Sequence, residues 1–354
     1  MTLLAGAALI SCSSIDSGLG TATTYTNPVI HREFADPAVL RAPDGWYYVY
    51  ATQGTVGGRT LNIQMARSAD LVHWEILGDA LPEKPAWAVG KQKFWAPHVL
   101  HDAQLNRYFL YYSAEPDSAE GKCLAVALAA TAAGPFIDSG RPMLCGAGIE
   151  NIYPMAFDDP RSGQRLLYWG SGGGPIRVQE LAADRVGFLP GSEPKEILPA
   201  ESGREYRSLI EGAWMTFRDG FYYLFYSGDL YCGPAARYAV MVARADSALG
   251  PFEHYSNPLR ADRGSVILER NEQWRAPGHN SVALDDADEY WMIYHAMHAP
   301  DEQRLMLLDR IVWRDGWPAI TEGQPSALPQ RAPRATARPS GLPPSLRSAE
   351  TGPP

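Results

Sequence analysis

Five times along the chain an opening turn leads into a run of aromatic and β-branched residues: DGWYYVYAT (44–52), NRYFLYYSA (106–114), GQRLLYWGS (163–171), DGFYYLFYSG (219–228) and DEYWMIYHA (288–296). The copies begin roughly 55 to 70 residues apart, as in repeat architectures whose similar units stack side by side. Each run is apolar enough to be a strand buried on both faces. Starting 13 to 19 residues after the beginning of each run comes a second strand with partial alternation: LNIQMARS, CLAVALAA, IRVQELA, YAVMVARA and RLMLLDRIVW. Two of these lead into the same Gly-Pro-Phe turn, at 134–136 and 250–252. No long helical period lies between the units, and a sandwich would not repeat one internal order five times. The expectation is an all-β chain folded as a five-bladed β-propeller over residues 25–323.

Composition narrows the partners. Forty acidic residues against 31 basic ones leave a net charge of −9, and no run of Lys or Arg offers a footprint for a phosphate backbone, which excludes nucleic acid. The ends differ from the middle. Residues 2–10 are apolar, too short to span a bilayer as a helix but suited to a signal sequence, and Leu9-Ile10-Ser11-Cys12 resembles the bacterial lipobox. Residues 1–24 are therefore expected to be a leader and linker, and the protein to be extracytoplasmic, secreted or held at a cell envelope by a lipid on Cys12. Residues 324–354, with eight prolines, are expected to be a disordered tail, and the protein to be a monomer. Cys123 and Cys145 suit either a disulfide or two buried thiols, and Cys232 is left unpaired. Gly172-Gly173-Gly174 lacks the context of a phosphate cradle and reads as a loop, with Trp169 as core and Ser171 as turn.

In a propeller the innermost strand of each blade lines a central channel. The segments upstream of the aromatic runs are FADPAVL (34–40), WAPHVL (95–100), NIYPMAF (151–157), IEGAWMTF (210–217) and GHNSVAL (278–284). Counting back from them places Asp36, Ala96, Tyr153, Glu211 and His279 at matching points around one pocket. Two are carboxylates from non-adjacent blades. Glycoside hydrolysis needs such a pair: one acid protonates the leaving oxygen and the other group acts from the opposite face of the sugar, with inversion if a water fits between them.

These segments resemble glycoside hydrolase family 43, five-bladed enzymes acting on arabinose- and xylose-containing polysaccharides. FADPAVLRAPDGWYYVYAT is similar to the segment that carries the family's general base, FWAPHV to its second-blade segment, IEGAWMTFRDGFYYLFYSG to the segment with the general acid, and GHNSVALDDADEYW to its fifth-blade His motif. The resemblance implies Asp36 as base, Glu211 as acid, and an inverting hydrolase of α-L-arabinofuranosidic linkages in arabinan or arabinoxylan, with oligo- or polysaccharide as the partner. It departs at Ile152-Tyr153-Pro154, where the family has Ile-Asp-Pro and uses the Asp to hold the acid's pKa high. With a neutral Tyr153 there, either turnover is weakened or burial alone keeps Glu211 protonated. Phe34 and Trp95 are expected to contact a sugar face and Arg304 to bond substrate hydroxyls. By resemblance, His279 faces a structural calcium or sodium ion through water on the propeller axis, and no cofactor is required. A β-xylosidase of the same family, a fructan hydrolase and a sugar-binding protein descended from an enzyme are the alternatives. The fructan motifs Asn-Asp-Pro-Asn-Gly and Glu-Cys are absent, and a mere binding protein would not need both carboxylates.

Overall fold

The computed structural model describes residues 23–335 apart from 234, 257–263, 299 and 301. The expected leader up to residue 22, with Cys12, and the tail beyond 335 lie outside the described residues. Among the described residues there is no helix beyond a single 3-10 turn, Thr321–Gly323. Five antiparallel sheets follow one another, each with its innermost strand first. Blade one is Ala38–Arg41, Tyr47–Ala51, Gln64–Ser68 and Trp74–Asp79. Blade two is Trp95–Asp102, Arg107–Ala114 and Lys122–Ala129, edged by Ile137–Asp138 and Leu144–Gly146. Blade three is Met155–Asp158, Arg165–Trp169, Ile176–Glu180 and Lys195–Leu198. Blade four is Ile210–Arg218, Phe221–Gly228 and Ala239–Ala245, edged by Glu253–His254 and Val266–Leu268. Blade five is Trp274–Leu284, Tyr290–His298, Arg304–Arg314 and Trp317–Ile320. This is the expected propeller.

The aromatic runs are continuous because each second strand is covered on both sides. Tyr48 and Tyr50 face blade two while Tyr47, Val49 and Ala51 face blade five, and the same alternation recurs in every blade. Five apolar clusters result, one in each wedge between neighbouring blades. Tyrosine suits these wedges because its ring fills the gap while its hydroxyl reaches a carbonyl of the next blade. Tyr50 donates to Ala132, Tyr111 to Arg185, Tyr168 to Ala248, Tyr223 to Gly316 and Tyr47 to Leu284. Cys123 and Cys145 are cross-strand partners in blade two and form a disulfide, while Cys232 is free and exposed.

The ring is closed by both ends of the described chain. Residues 29–34 run along blade five, with Val29 and Phe34 donating to the Met306 and Arg304 carbonyls at 2.9 and 2.8 Å. The Asn27 side chain copies a strand, accepting from Leu308 N–H and donating to Leu308 C=O at 2.9 and 3.0 Å. The expected boundaries at 24 and 323 are corrected here. Thr24–Tyr25 pairs with Gln330–Arg331, Ala332 N–H donates to Thr23 C=O, and Arg334 N–H donates to Asp285. Residues 324–335 are thus packed, because their backbone groups find partners on strands that would otherwise present an open edge.

Candidate active site

At the start of each blade the chain makes the same left-handed kink: Asp36 (φ 56°), Ala96 (40°), Tyr153 (63°), Gly212 (64°) and His279 (50°). Such a conformation costs a non-glycine residue on the order of 1 kcal/mol or more, and a side chain from the preceding blade offsets it. His295 Nδ1 accepts from Asp36 N–H at 3.1 Å, Thr52 Oγ from Ala96 N–H at 2.8 Å, Ser113 Oγ from Tyr153 N–H at 3.0 Å and Ser227 Oγ from His279 N–H at 2.8 Å. In the remaining wedge Ser171 donates to the Glu211 carboxylate itself. The five clasping residues close the five aromatic runs in phase and are all buried.

This register corrects one sequence expectation. Glu211 does not match Asp36, Ala96, Tyr153 and His279; Gly212 does. Glu211 pairs with Ser227 just before the kink, as Trp95 pairs with Ser113 and Gly278 with His295. A side chain at Gly212 would bring its Cβ to 3.2 Å from the His279 ring, besides the strain of its φ. At Gly278 a Cβ would lie 2.0 Å from the Tyr238 ring, so glycine there makes room for the phenol that reaches Glu211.

The kinks surround a pocket of about 80 Å³ lined by Asp36, Thr52, Trp95, Tyr153, Glu211, Tyr231, Tyr238, His295 and Arg304. Asp36 accepts from the Thr52 hydroxyl, whose acceptor side is already occupied by Ala96 N–H, so the hydroxyl proton has to point at the carboxylate. Burial pushes the Asp36 carboxyl up, but His279, His295, Arg304 and the Thr52 hydroxyl together hold it below the usual aspartate range. Burial lowers both imidazoles, His295 to about 3. At neutral pH, therefore, the groups that keep Asp36 ionised are the Arg304 charge and the Thr52 bond. Because His295 Nδ1 accepts from a backbone N–H, its proton sits on Nε2, a buried atom with no hydrogen-bond partner.

Glu211 has the opposite balance. It is 3% exposed, and burial raises its carboxyl to about 7, against the Ser171 and Tyr238 hydroxyls and assisted by the Asp36 charge. Tyr238 donates to it at 2.7 Å. Tyr153 stands edge-on to the His279 ring, centroids 4.7 Å apart, and burial with both carboxylates nearby raises its hydroxyl well above the ordinary value, so it is neutral. The pocket thus holds an ionised carboxylate able to take a proton and a carboxylic acid able to give one.

The other expected residues divide. Trp95 and Arg304 line the pocket, and Arg304 is held from outside by Glu33, which accepts from its backbone N–H and its Nε at 2.7 Å each. Phe34 does not line it. Its ring is fully buried with Val39, Tyr47 and Leu71 in the wedge between blades one and five, and the expectation of a sugar contact is corrected. His279 lies beside the pocket, with Nδ1 3.3 Å from Asp36 yet unbonded. Among the described residues no three His, Cys, Asp or Glu side chains converge as metal ligands. Ser171, expected to be a turn residue, is a partner of Glu211. Thr52, Tyr231, Tyr238 and His295 were not singled out from the sequence. The polar residue ending each aromatic run would have pointed to Thr52, Ser171 and His295, whereas nothing local marks Tyr238.

Known proteins are similar to this chain over nearly the whole described fold. The profile of the glycosyl hydrolases family 43 matches residues 25–318. The arabinan endo-1,5-α-L-arabinosidase C of Emericella nidulans is 28% identical over 79% of this chain and 89% of that protein. The β-D-galactofuranosidase xynD of Aspergillus niger is 29% identical over 84% and 85%. The extracellular endo-α-(1→5)-L-arabinanase 1 of Bacillus subtilis is 24% identical over 83% and 88%. A crystal structure of a thermostable family-43 glycoside hydrolase superposes with a TM-score of 0.72 at 28% identity, covering 88% of this chain and 99% of that one.

Proposed function

The chain belongs to glycosyl hydrolase family 43 and is a glycoside hydrolase, and from that premise we propose that it inverts configuration while cleaving α-L-arabinofuranosidic linkages in arabinan or arabinoxylan. The observation that carries the reading is a single pocket holding two carboxyl groups with opposite proton affinities, Asp36 low and Glu211 at about 7. Asp36 takes a proton from water as the water oxygen bonds to the anomeric carbon. The bond to the leaving oxygen breaks, and Glu211 gives its proton to that oxygen. Arg304 and Thr52 keep Asp36 ionised for this, and burial keeps Glu211 protonated without the third carboxylate that Tyr153 replaces. Trp95, Tyr231 and Arg304 are left to contact the sugar. The small pocket favours a pentofuranose over a larger ring.

An ion held through water near His279 would supply positive charge on the axis and help fix the imidazole beside Asp36. The unbonded His279 Nδ1 and His295 Nε2 fit a polar occupant there. The same reading has the enzyme acting outside the cytoplasm, which the extracellular relative from Bacillus subtilis supports. No described helix is long and apolar enough to cross a membrane.

The test is hydrolysis of linear 1,5-α-arabinan, arabinoxylan, and 4-nitrophenyl α-L-arabinofuranoside and β-D-xyloside, with the first-formed anomer read by proton NMR. Release of β-arabinofuranose from the α-linked substrates supports the reading. The α anomer as first product removes inversion, turnover of the xyloside alone moves the assignment to β-xylosidase, and binding without turnover of any substrate moves it to a sugar-binding protein.

A further inference from the structure

The chain has five lysines, and four of them belong to blade two or to the connection that leads into it: Lys84, Lys91 and Lys93 in the connection and Lys122 at the start of the third strand. Lys91 and Lys93 share Glu115 at 3.0 and 2.9 Å. Lys122 is the buried one, 3% exposed. Among the described residues no carboxylate lies within ion-pair distance of it. Its Nζ donates to the Lys93 carbonyl at 2.8 Å and sits 3.5 Å from the centroid of the Trp95 ring. Burial lowers it to about 7, with the Glu115 charge opposing and the Lys93 charge adding. An ammonium desolvated in this way works against folding, and a methionine would fill the space at lower cost. The aromatic ring beneath it is the one that blade two contributes to the pocket, held at the residue just before the kink at Ala96.

We propose that Lys122 is a positioning residue for substrate: its ammonium pins one face of Trp95, so that the indole is presented in a fixed orientation to the sugar bound beside Asp36 and Glu211. The inference rests on the catalytic reading of that pocket. A ring fixed in advance loses little freedom when a sugar stacks on it, so the gain appears in binding rather than in the chemical step. Deprotonation of Lys122, which only Glu115 and Lys93 influence by charge, releases the indole.

Lys122→Met and Lys122→Arg test this. With 4-nitrophenyl α-L-arabinofuranoside, Lys122→Met is expected to raise KM about tenfold, within the range of a desolvated cation–π contact, and to leave kcat within about twofold, while Lys122→Arg keeps KM near the parent value. Binding of 1,5-α-L-arabinotriose to Glu211→Gln protein weakens by the same factor when Lys122→Met is added, and thermal stability stays level or rises. In the ligand-free protein, Trp95 emission, isolated by difference from Trp95→Phe, titrates near pH 7 and loses that step in Lys122→Met. An unchanged KM with an unchanged emission profile overturns the proposal, as does a joint fall of kcat, affinity and stability, which would make Lys122 a packing residue. If the parent hydrolyses no glycoside, the catalytic reading fails by itself. The emission titration and arabinotriose binding then decide the role of Lys122 separately, and loss of either effect overturns it.

Discussion

Asp36 and Glu211 share one pocket, and their neighbours drive their proton affinities apart. The activity window follows from the directions of the two shifts: its acid limb lies below the usual aspartate range and its alkaline limb lies near pH 7, where Glu211 loses its proton. The same shift acts on stability. The folded value of about 7 exceeds the ordinary 4.5, so the folded protein binds this proton more tightly. That contribution is full below about pH 4.5 and is lost as pH rises through 7, a loss on the order of 3 kcal/mol by pH 8. Glu211→Gln should therefore lower kcat about 10²–10⁴-fold yet melt several degrees above the parent at pH 8, with the gap closing toward pH 4.5. A gap that does not change with pH would mean that the carboxyl does not titrate near 7. Tyr153→Asp adds a second negative charge beside Glu211, and the alkaline limb of kcat should move upward, raising turnover at pH 8. A pH–rate profile with the limb unmoved would mean that burial and Asp36 already set the acid's proton affinity.

At the scale of elements, the site is made by five kinked strand starts and the polar residue that each blade lends to the next. Blade two carries an additional tie. Lys122 and Cys123 open its third strand opposite Gly146 and Cys145, so the bridge holds the strand that bears Lys122 against the blade edge. The bridged cysteines are 22 residues apart, and closing a loop of that size constrains the unfolded chain by about 3 kcal/mol. Cys145→Ser should lower the melting temperature by several degrees, and the parent in strong reductant should fall to the same value. Equal melting of oxidised parent and variant would show that blade two does not depend on the bridge.

For the whole molecule, stability is spread over five similar wedges, and one of them joins the first blade to the last. There the chain uses residues from both ends: Asn27 on Leu308, Ser326 N–H on Asp309, Asn271 Nδ2 on the Pro325 carbonyl, and the short ladder between Thr24–Tyr25 and Gln330–Arg331. Truncation after Gly323 should lower the melting temperature markedly, measured by calorimetry. A truncated protein that melts like the parent would mean that the ladder is ornamental and that residues 29–34 close the ring alone. Glu33 belongs to that same closing segment and holds Arg304, so the truncated protein is also expected to bind arabinotriose more weakly.

Much of this was legible along the chain. The in-phase aromatic runs specify five two-sided strands, because a strand covered on both faces must be apolar at every position, and five such units can cover one another only in a ring. Asp36, Tyr153 and Glu211 could be found by counting, since they stand 8, 10 and 8 residues before their runs begin. The tertiary structure decided the rest. Phe34 and Trp95 are both aromatic residues beside a strand start, and only the direction of each ring, one into a wedge and one into the pocket, separates core from site. The offset of Glu211 from the kink depends on a bulge, which inserts residues without leaving a mark in the composition. Tyr238, Glu33 and Lys122 act on partners 27, 271 and 27 residues away. The proton affinities of Asp36 and Glu211 come from burial and from charges brought in by other blades. Local sequence determines what each strand must cover, whereas the electrostatics of a channel lined by five strands exist only after the ring has closed.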